Sequence, residues 1–118
     1  MDTDMFNHDL CKNEYKTLLT ERMNEERALI ISGKNCTWSP KTKNLLGQYN
    51  IAYSEVVIDD LAPYDMMEIA NCIFGKEERY VPFLYLNKKR IGSYGDFYKI
   101  HKSGKMKEMG FDMNKPKE

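Results

Sequence analysis

The chain lacks a Cys-x-x-Cys pair, a cysteine–histidine cluster of zinc type and any secretory-type leader, and its formal net charge is zero. Each absence excludes something. Without Cys-x-x-Cys there is no two-sulfur redox motif within one turn, and without clustered cysteine and histidine there is no structural zinc site. No apolar run approaches the ~18 residues that span a bilayer. Lys+Arg 18 against Asp+Glu 18 leaves no whole-chain field for nucleic acid or an anionic membrane. The first residues, MDTDMFNHD, are acidic and polar, unlike a targeting segment, so a cytoplasmic address is expected. Cysteine is scarce too: Cys11, Cys36 and Cys72. Three cannot all pair within one chain, and an odd count without a secretion signal argues against a disulfide scaffold. Cys11 and Cys72 fall on apolar helical stripes and read as buried structural cysteines, with Cys72 an alternative resolving thiol.

What is present suits one domain of 118 residues with a single core, 42% hydrophobic. Residues 7–25 carry Cys11, Tyr15, Leu18 and Leu19 at helical spacing, with Asn7 or Asp9 as the cap. ALIIS, 28–32, reads as a buried strand, followed by a loop at Cys36 and a short helix bearing Leu45, Leu46 and Tyr49. IAYSEVVI, 51–58, is a second strand ending in a DD turn. Met66, Ile69, Ala70 and Ile73 form one helical face between Pro63 and Gly75. PFLYL and KRIG, joined at Asn87–Lys88, read as a tight hairpin. Helices are expected at 94–101 and 103–109, with a frayed end.

A strand, helix and parallel strand need a right-handed crossover, and the hairpin adds two antiparallel strands to the same sheet. The expected α/β fold is therefore a four-stranded mixed sheet flanked by helices, of thioredoxin type, with an extra N-terminal helix. The expected boundaries are 1–27 for that extension, 28–110 for the domain and 111–118 for a short tail. The extension could pack on the sheet, cover another helix or meet a partner.

The chemistry concentrates at GKNCTWSPK, 33–41. A cysteine after a strand and at a helix start faces unpaired backbone N–H groups and the positive end of the helix dipole. Both favour the thiolate. Lys34 adds a nearby positive charge, and Pro40 suits the first helical turn. Ser39 stands where a resolving cysteine would, so an external thiol must finish any exchange at Cys36. From these residues alone Cys36 is a one-sulfur nucleophile, a metal ligand or a packing cysteine.

Three motifs in order resemble the glutaredoxins over about residues 28–109. They are Cys36-Thr37-Trp38-Ser39 after the strand, Tyr80-Val81-Pro82 in the place of Thr-Val-Pro, and Gly92-Ser93-Tyr94-Gly95-Asp96, similar to a Gly-Gly-x-x-Asp turn. The resemblance implies glutathione as the external thiol and a monothiol oxidoreductase acting on glutathionylated proteins through Cys36 in redox homeostasis. It implies a cis Pro82 that leaves the Val81 backbone to pair with glutathione in strand fashion. Tyr94 and Gly95 N–H groups would receive the γ-glutamyl carboxylate, and Asp96 its ammonium. Lys34, Arg79 and Tyr80 would complete the glutathione site, with Lys76 a second candidate for the glycine carboxylate. Departures from the pattern are Gly33 in place of lysine, Ser93 in place of glycine and a longer loop at 75–80. Thr37 replaces a proline, a change that in the family accompanies a [2Fe-2S] cluster held between two subunits by Cys36 and glutathione. A cluster carrier is thus the alternative function. The implied state is a monomer, or a dimer if a cluster bridges it, with no nucleic-acid or membrane partner.

Overall fold

The computed structural model describes residues 6, 10–34, 36–77 and 79–111. Their order is α1 (Asn13–Glu25), β1 (Ala28–Ser32), α2 (Trp38–Gln48), β2 (Tyr53–Val57), a 3-10 turn (Ile58–Asp60), α3 (Pro63–Phe74), β3 (Phe83–Leu86), β4 (Lys89–Gly92) and α4 (Tyr94–Ser103). The strands form one sheet in the order β2-β1-β3-β4. β1 and β2 are parallel, and the other pairs are antiparallel. This is the expected four-stranded mixed sheet with helices on both faces.

The sequence explains the placement. Every residue of ALIIS is buried, as a central strand covered on both faces requires. Its alternate side chains serve two cores. Leu29 and Ile31, with Phe83 and Tyr85, face α1 and α3. Ala28 and Ile30, with Leu84 and Leu86, face α2 and α4. The hairpin turns at Asn87 (φ 53°) and Lys88 (φ 62°), both left-handed as a two-residue type I′ connection demands. Pro63 occupies the first turn of α3, and Gly75 (φ 57°) ends it.

Three sequence expectations are corrected. The first helix starts at Asn13, not at residue 7, after Lys12, which makes no side-chain cap; the expected caps Asn7 and Asp9 lie outside the described residues. Cys11 therefore precedes the helix. No second helix forms at 103–109: Gly104 (φ 80°) terminates α4, and hydrogen-bonded turns follow, ending with Phe111 N–H donating to Met106 O at 2.9 Å. These turns carry Met106 and Phe111 into the α2/α4 core.

The third correction is covalent. Cys11 and Cys72 are joined by a disulfide, S–S 2.04 Å. The pairing ties the segment before α1 to the end of α3, and the odd third thiol, Cys36, stays free. Of the options left open for α1, the structure selects packing on the sheet and α3. Tyr15, Leu19 and Met23 enter the core, and Tyr15 Oη donates to Asp65 Oδ1 at 2.5 Å. That hydrogen bond to a carboxylate, followed by burial, moves the Tyr15 phenol well above its ordinary value.

Candidate functional site

The ends of β1 and β2, the start of α2, the segment before β3 and the start of α4 converge at one edge of the sheet. Cys36 is half-buried there, one residue before Thr37, the N-cap of α2. Its Sγ donates to Val81 O at 3.5 Å. The Val81–Pro82 bond is cis, as the resemblance implied. Thiol and strand backbone therefore meet as that reading requires.

The rest of the motif splits between exposure and burial. Trp38 is half-exposed and stacks on Tyr94, centroids 5.5 Å apart and planes 26° off parallel. Ser39 is buried, and its Oγ has no hydrogen-bond partner among the described residues. Gly33, in the place of a lysine, lies against the next element. A Cβ there would sit 3.5 Å from both Val81 Cγ2 and Asp59 Oδ2, an ordinary contact.

Two hollows flank Val81. On the α3 side, a cavity of about 290 Å3 is lined by Ile31, Ile58, Met66, Ala70, Ile73 and Val81 among others, with Arg79 at its edge. Arg79 Nη2 donates to Asn71 Oδ1 at 2.5 Å. On the α4 side, an open cleft of about 420 Å3 is lined by Glu77, Tyr80, Arg90, Ile91, Gly92 and Asp96. Burial, then the Asp96 charge, pushes the Tyr80 phenol up from its ordinary value.

The α4 start is built by a capping box. Ser93 Oγ accepts from Asp96 N–H at 3.2 Å, and Asp96 Oδ2 accepts from Ser93 N–H at 3.0 Å. The N–H groups of Tyr94 and Gly95 come before the first intrahelical donor, Phe97 N–H to Ser93 O, and lie at the positive end of the helix. Gly92 (φ 115°) is required here, since a Cβ would collide with the Asp96 carboxylate.

Lys34 is held by the acidic turn after β2. Its Nζ pairs with Asp60 Oδ1 at 2.9 Å and its N–H donates to Asp59 Oδ2 at 2.8 Å. The hydrogen bond to Asp60 raises the Lys34 pKa. Of the residues singled out from sequence, the structure brings Cys36, Trp38, Val81, Pro82, Tyr80, Tyr94, Gly95 and Asp96 to one edge, with Arg79 beside it. Sequence reading missed Asp59, Asp60 and Asn71, whose partners are set by the fold. The capping box was visible in principle, because Ser93-x-x-Asp96 has the spacing of that motif.

Comparison with solved structures fits this geometry. Glutaredoxin C1 from Populus tremula x tremuloides, in its holo form, superposes with TM-score 0.70 at 19% identity, over 82% of this chain and 95% of that one. A buckwheat glutaredoxin–glutathione complex gives TM-score 0.70 at 20% identity, covering 83% and 92%. Oxidised glutaredoxin 2 from Chlamydomonas reinhardtii gives 0.66 at 24%, covering 84% and 92%. The chain has the glutaredoxin fold. No family model and no curated protein matches it by sequence. The glutaredoxin-fold edge that holds Cys36 is also where Tyr80-Val81-Pro82 and Ser93 to Asp96 meet. Among the described residues no three metal-ligating side chains come together, so one chain offers a metal at this edge a single thiol. No helix among them is long and apolar enough to cross a membrane.

Proposed function

We propose that the protein is a glutathione-dependent thiol–disulfide oxidoreductase working through Cys36 alone. The observation that carries this reading is the free Cys36 thiol 3.5 Å from the Val81 carbonyl, at the start of α2, while the other two cysteines are bonded to each other. A strand-like backbone beside a thiol is the arrangement that holds an extended tripeptide with its sulfur in line. In this reading glutathione lies along Val81. Its γ-glutamyl carboxylate meets the N–H groups of Tyr94 and Gly95, and its ammonium meets Asp96. Arg79 takes the glycine carboxylate by exchanging its Asn71 contact.

The chemistry then runs in two balanced steps. The Cys36 thiolate attacks the glutathionyl sulfur of a mixed disulfide. The Cys36–glutathione bond forms, the client–glutathione bond breaks, and the client thiolate leaves and takes a proton. A second glutathione thiolate attacks the same glutathionyl sulfur, freeing Cys36 and giving glutathione disulfide. Ser39 forms no covalent bond, so both electrons come from glutathione.

Turnover of a small glutathione mixed disulfide with excess glutathione tests this reading. Cys36→Ser is expected to fall to the uncatalysed background, while Cys11→Ser keeps most of the rate. Full activity in Cys36→Ser overturns the assignment. The cluster-carrier alternative rests on Thr37 in the place of a proline. It predicts visible absorbance and a glutathione-dependent dimer after anaerobic reconstitution, both lost in Cys36→Ser.

A further inference from the structure

The zero net charge conceals a separation. Residues 33–50 contain Lys34, Lys41 and Lys43 and no acid, and residues 94–111 add Lys99, Lys102, Lys105 and Lys107 against Asp96 and Glu108. These segments form the α2/α4 face. On the other side of the sheet, α3 carries Asp65 and Glu68, bonded to Tyr15 and Lys12. Lys34 and Lys43 are neutralised by Asp60 and Glu55. Among the described residues, Lys41 and Lys102 have no acidic partner.

These two lysines stand on an aromatic ridge. Trp38 stacks on Tyr94, and Tyr94 approaches Tyr98 with centroids 5.9 Å apart. Lys41 Nζ lies 4.4 Å from the Trp38 centroid, and Lys102 Nζ lies 5.9 Å from the Tyr98 centroid. Trp38 is 49% exposed and Tyr98 42% exposed. The rings hold each ammonium in place by cation–π attraction while leaving its outer side in water. A carboxylate can approach that side without breaking an existing ion pair. The ridge begins two residues after Cys36, so whatever lies on it reaches the thiol.

We propose that the α2/α4 face docks an acidic polypeptide segment, the chain flanking the client cysteine on which Cys36 acts. Docking itself stands apart from the oxidoreductase reading; only the exchange at Cys36 after docking rests on it. Carboxylates of the segment meet Lys41 and Lys102, and its apolar side chains lie on Trp38, Tyr94 and Tyr98. Charge complementarity selects this occupant. A basic segment meets unpaired ammonium groups here. A nucleic-acid strand, whose affinity comes from many phosphate contacts, finds only two lysines on the ridge.

Trp38 is the sole tryptophan, so its fluorescence reports the ridge directly. The test uses two peptides of equal length with serine in place of cysteine, one glutamate-flanked and one lysine-flanked, titrated at low and high ionic strength. Neither peptide can react, so the result is independent of thiol chemistry. The acidic peptide is expected to bind about 10-fold tighter at low ionic strength, with the preference collapsing at high salt. Lys41→Glu/Lys102→Glu should abolish or invert it and leave turnover of a small glutathione mixed disulfide unchanged. Equal binding of the two peptides, a preference that survives the double reversal, or tighter binding of oligothymidylate than of the acidic peptide overturns the proposal. Loss of small-disulfide turnover in the wild-type protein counts against the oxidoreductase reading alone.

Discussion

Reducing the Cys11–Cys72 bond should cost this protein much of its stability. The bond closes a loop with a sequence separation of 61. Cross-linking a loop of that size removes about 14 cal/mol/K from the unfolded chain, about 4 kcal/mol at 25 °C. An unfolding entropy of ~2.1 cal/mol/K per residue gives about 250 cal/mol/K for 118 residues. The ratio predicts a Tm about 15 °C lower on reduction. The measurement is a circular-dichroism melt of Cys36→Ser protein with and without reductant, the background chosen so that no free thiol reshuffles the bond. The thiol count is checked by alkylation, and Cys11→Ser/Cys72→Ser should melt close to the reduced form. A shift below ~3 °C would refute the entropic reasoning. It would mean that the reduced, unfolded chain keeps contacts that already confine the loop.

Other perturbations address the α4 side of the site and the core. Gly92→Ala, at φ 115° and against the Asp96 carboxylate, should cost about 1–3 kcal/mol and weaken glutathione binding, read by denaturant melts and calorimetry. Ser93→Ala removes one half of the capping box and should cost about 1 kcal/mol, read in the same melts. Tyr85 is buried, and that burial raises its phenol above the ordinary value of 10.0. Its neutral form is thus favoured by folding, a contribution complete below pH ~10 and lost progressively above it. Stability measured from pH 8 to 11 should therefore fall at the alkaline end, and more steeply in wild type than in Tyr85→Phe; parallel curves would remove Tyr85 as the cause.

How much of the molecule was legible in its sequence depends on the distance over which each feature is decided. The buried run ALIIS, the Asn87–Lys88 turn and the Pro63-to-Gly75 helix are settled by local periodicity and backbone preference, and all appear where expected. The Cys36, Val81-Pro82 and Asp96 motifs were legible one by one, but their meeting at one edge depends on the β1–α2–β2 crossover that aligns strand ends. Lys34 looked close to Cys36 because it is two residues away. In the fold its ammonium is captured by Asp60, which no spacing rule identifies. The disulfide failed for the same reason. An odd cysteine count weighed against a disulfide scaffold, yet α1 lies on α3 and Cys11 and Cys72 come to a Cα separation of 4.3 Å. That bond also removes the support that cysteine usage gave to a cytoplasmic address, since such bridges persist mainly in oxidising compartments.

Composition misleads most where it sums over opposites. A net charge of zero excluded a field around the whole chain, and it does so correctly at distances beyond the molecule. Close to the surface the relevant quantity is the charge within about a Debye length, ~8 Å at physiological salt, less than the distance across the sheet and its two helix layers. In the proposed docking, a segment lying along α2 and α4 has Lys41 and Lys102 within that distance. Asp59 and Asp60 do not oppose an acidic segment as bare charges, because both are already engaged by Lys34.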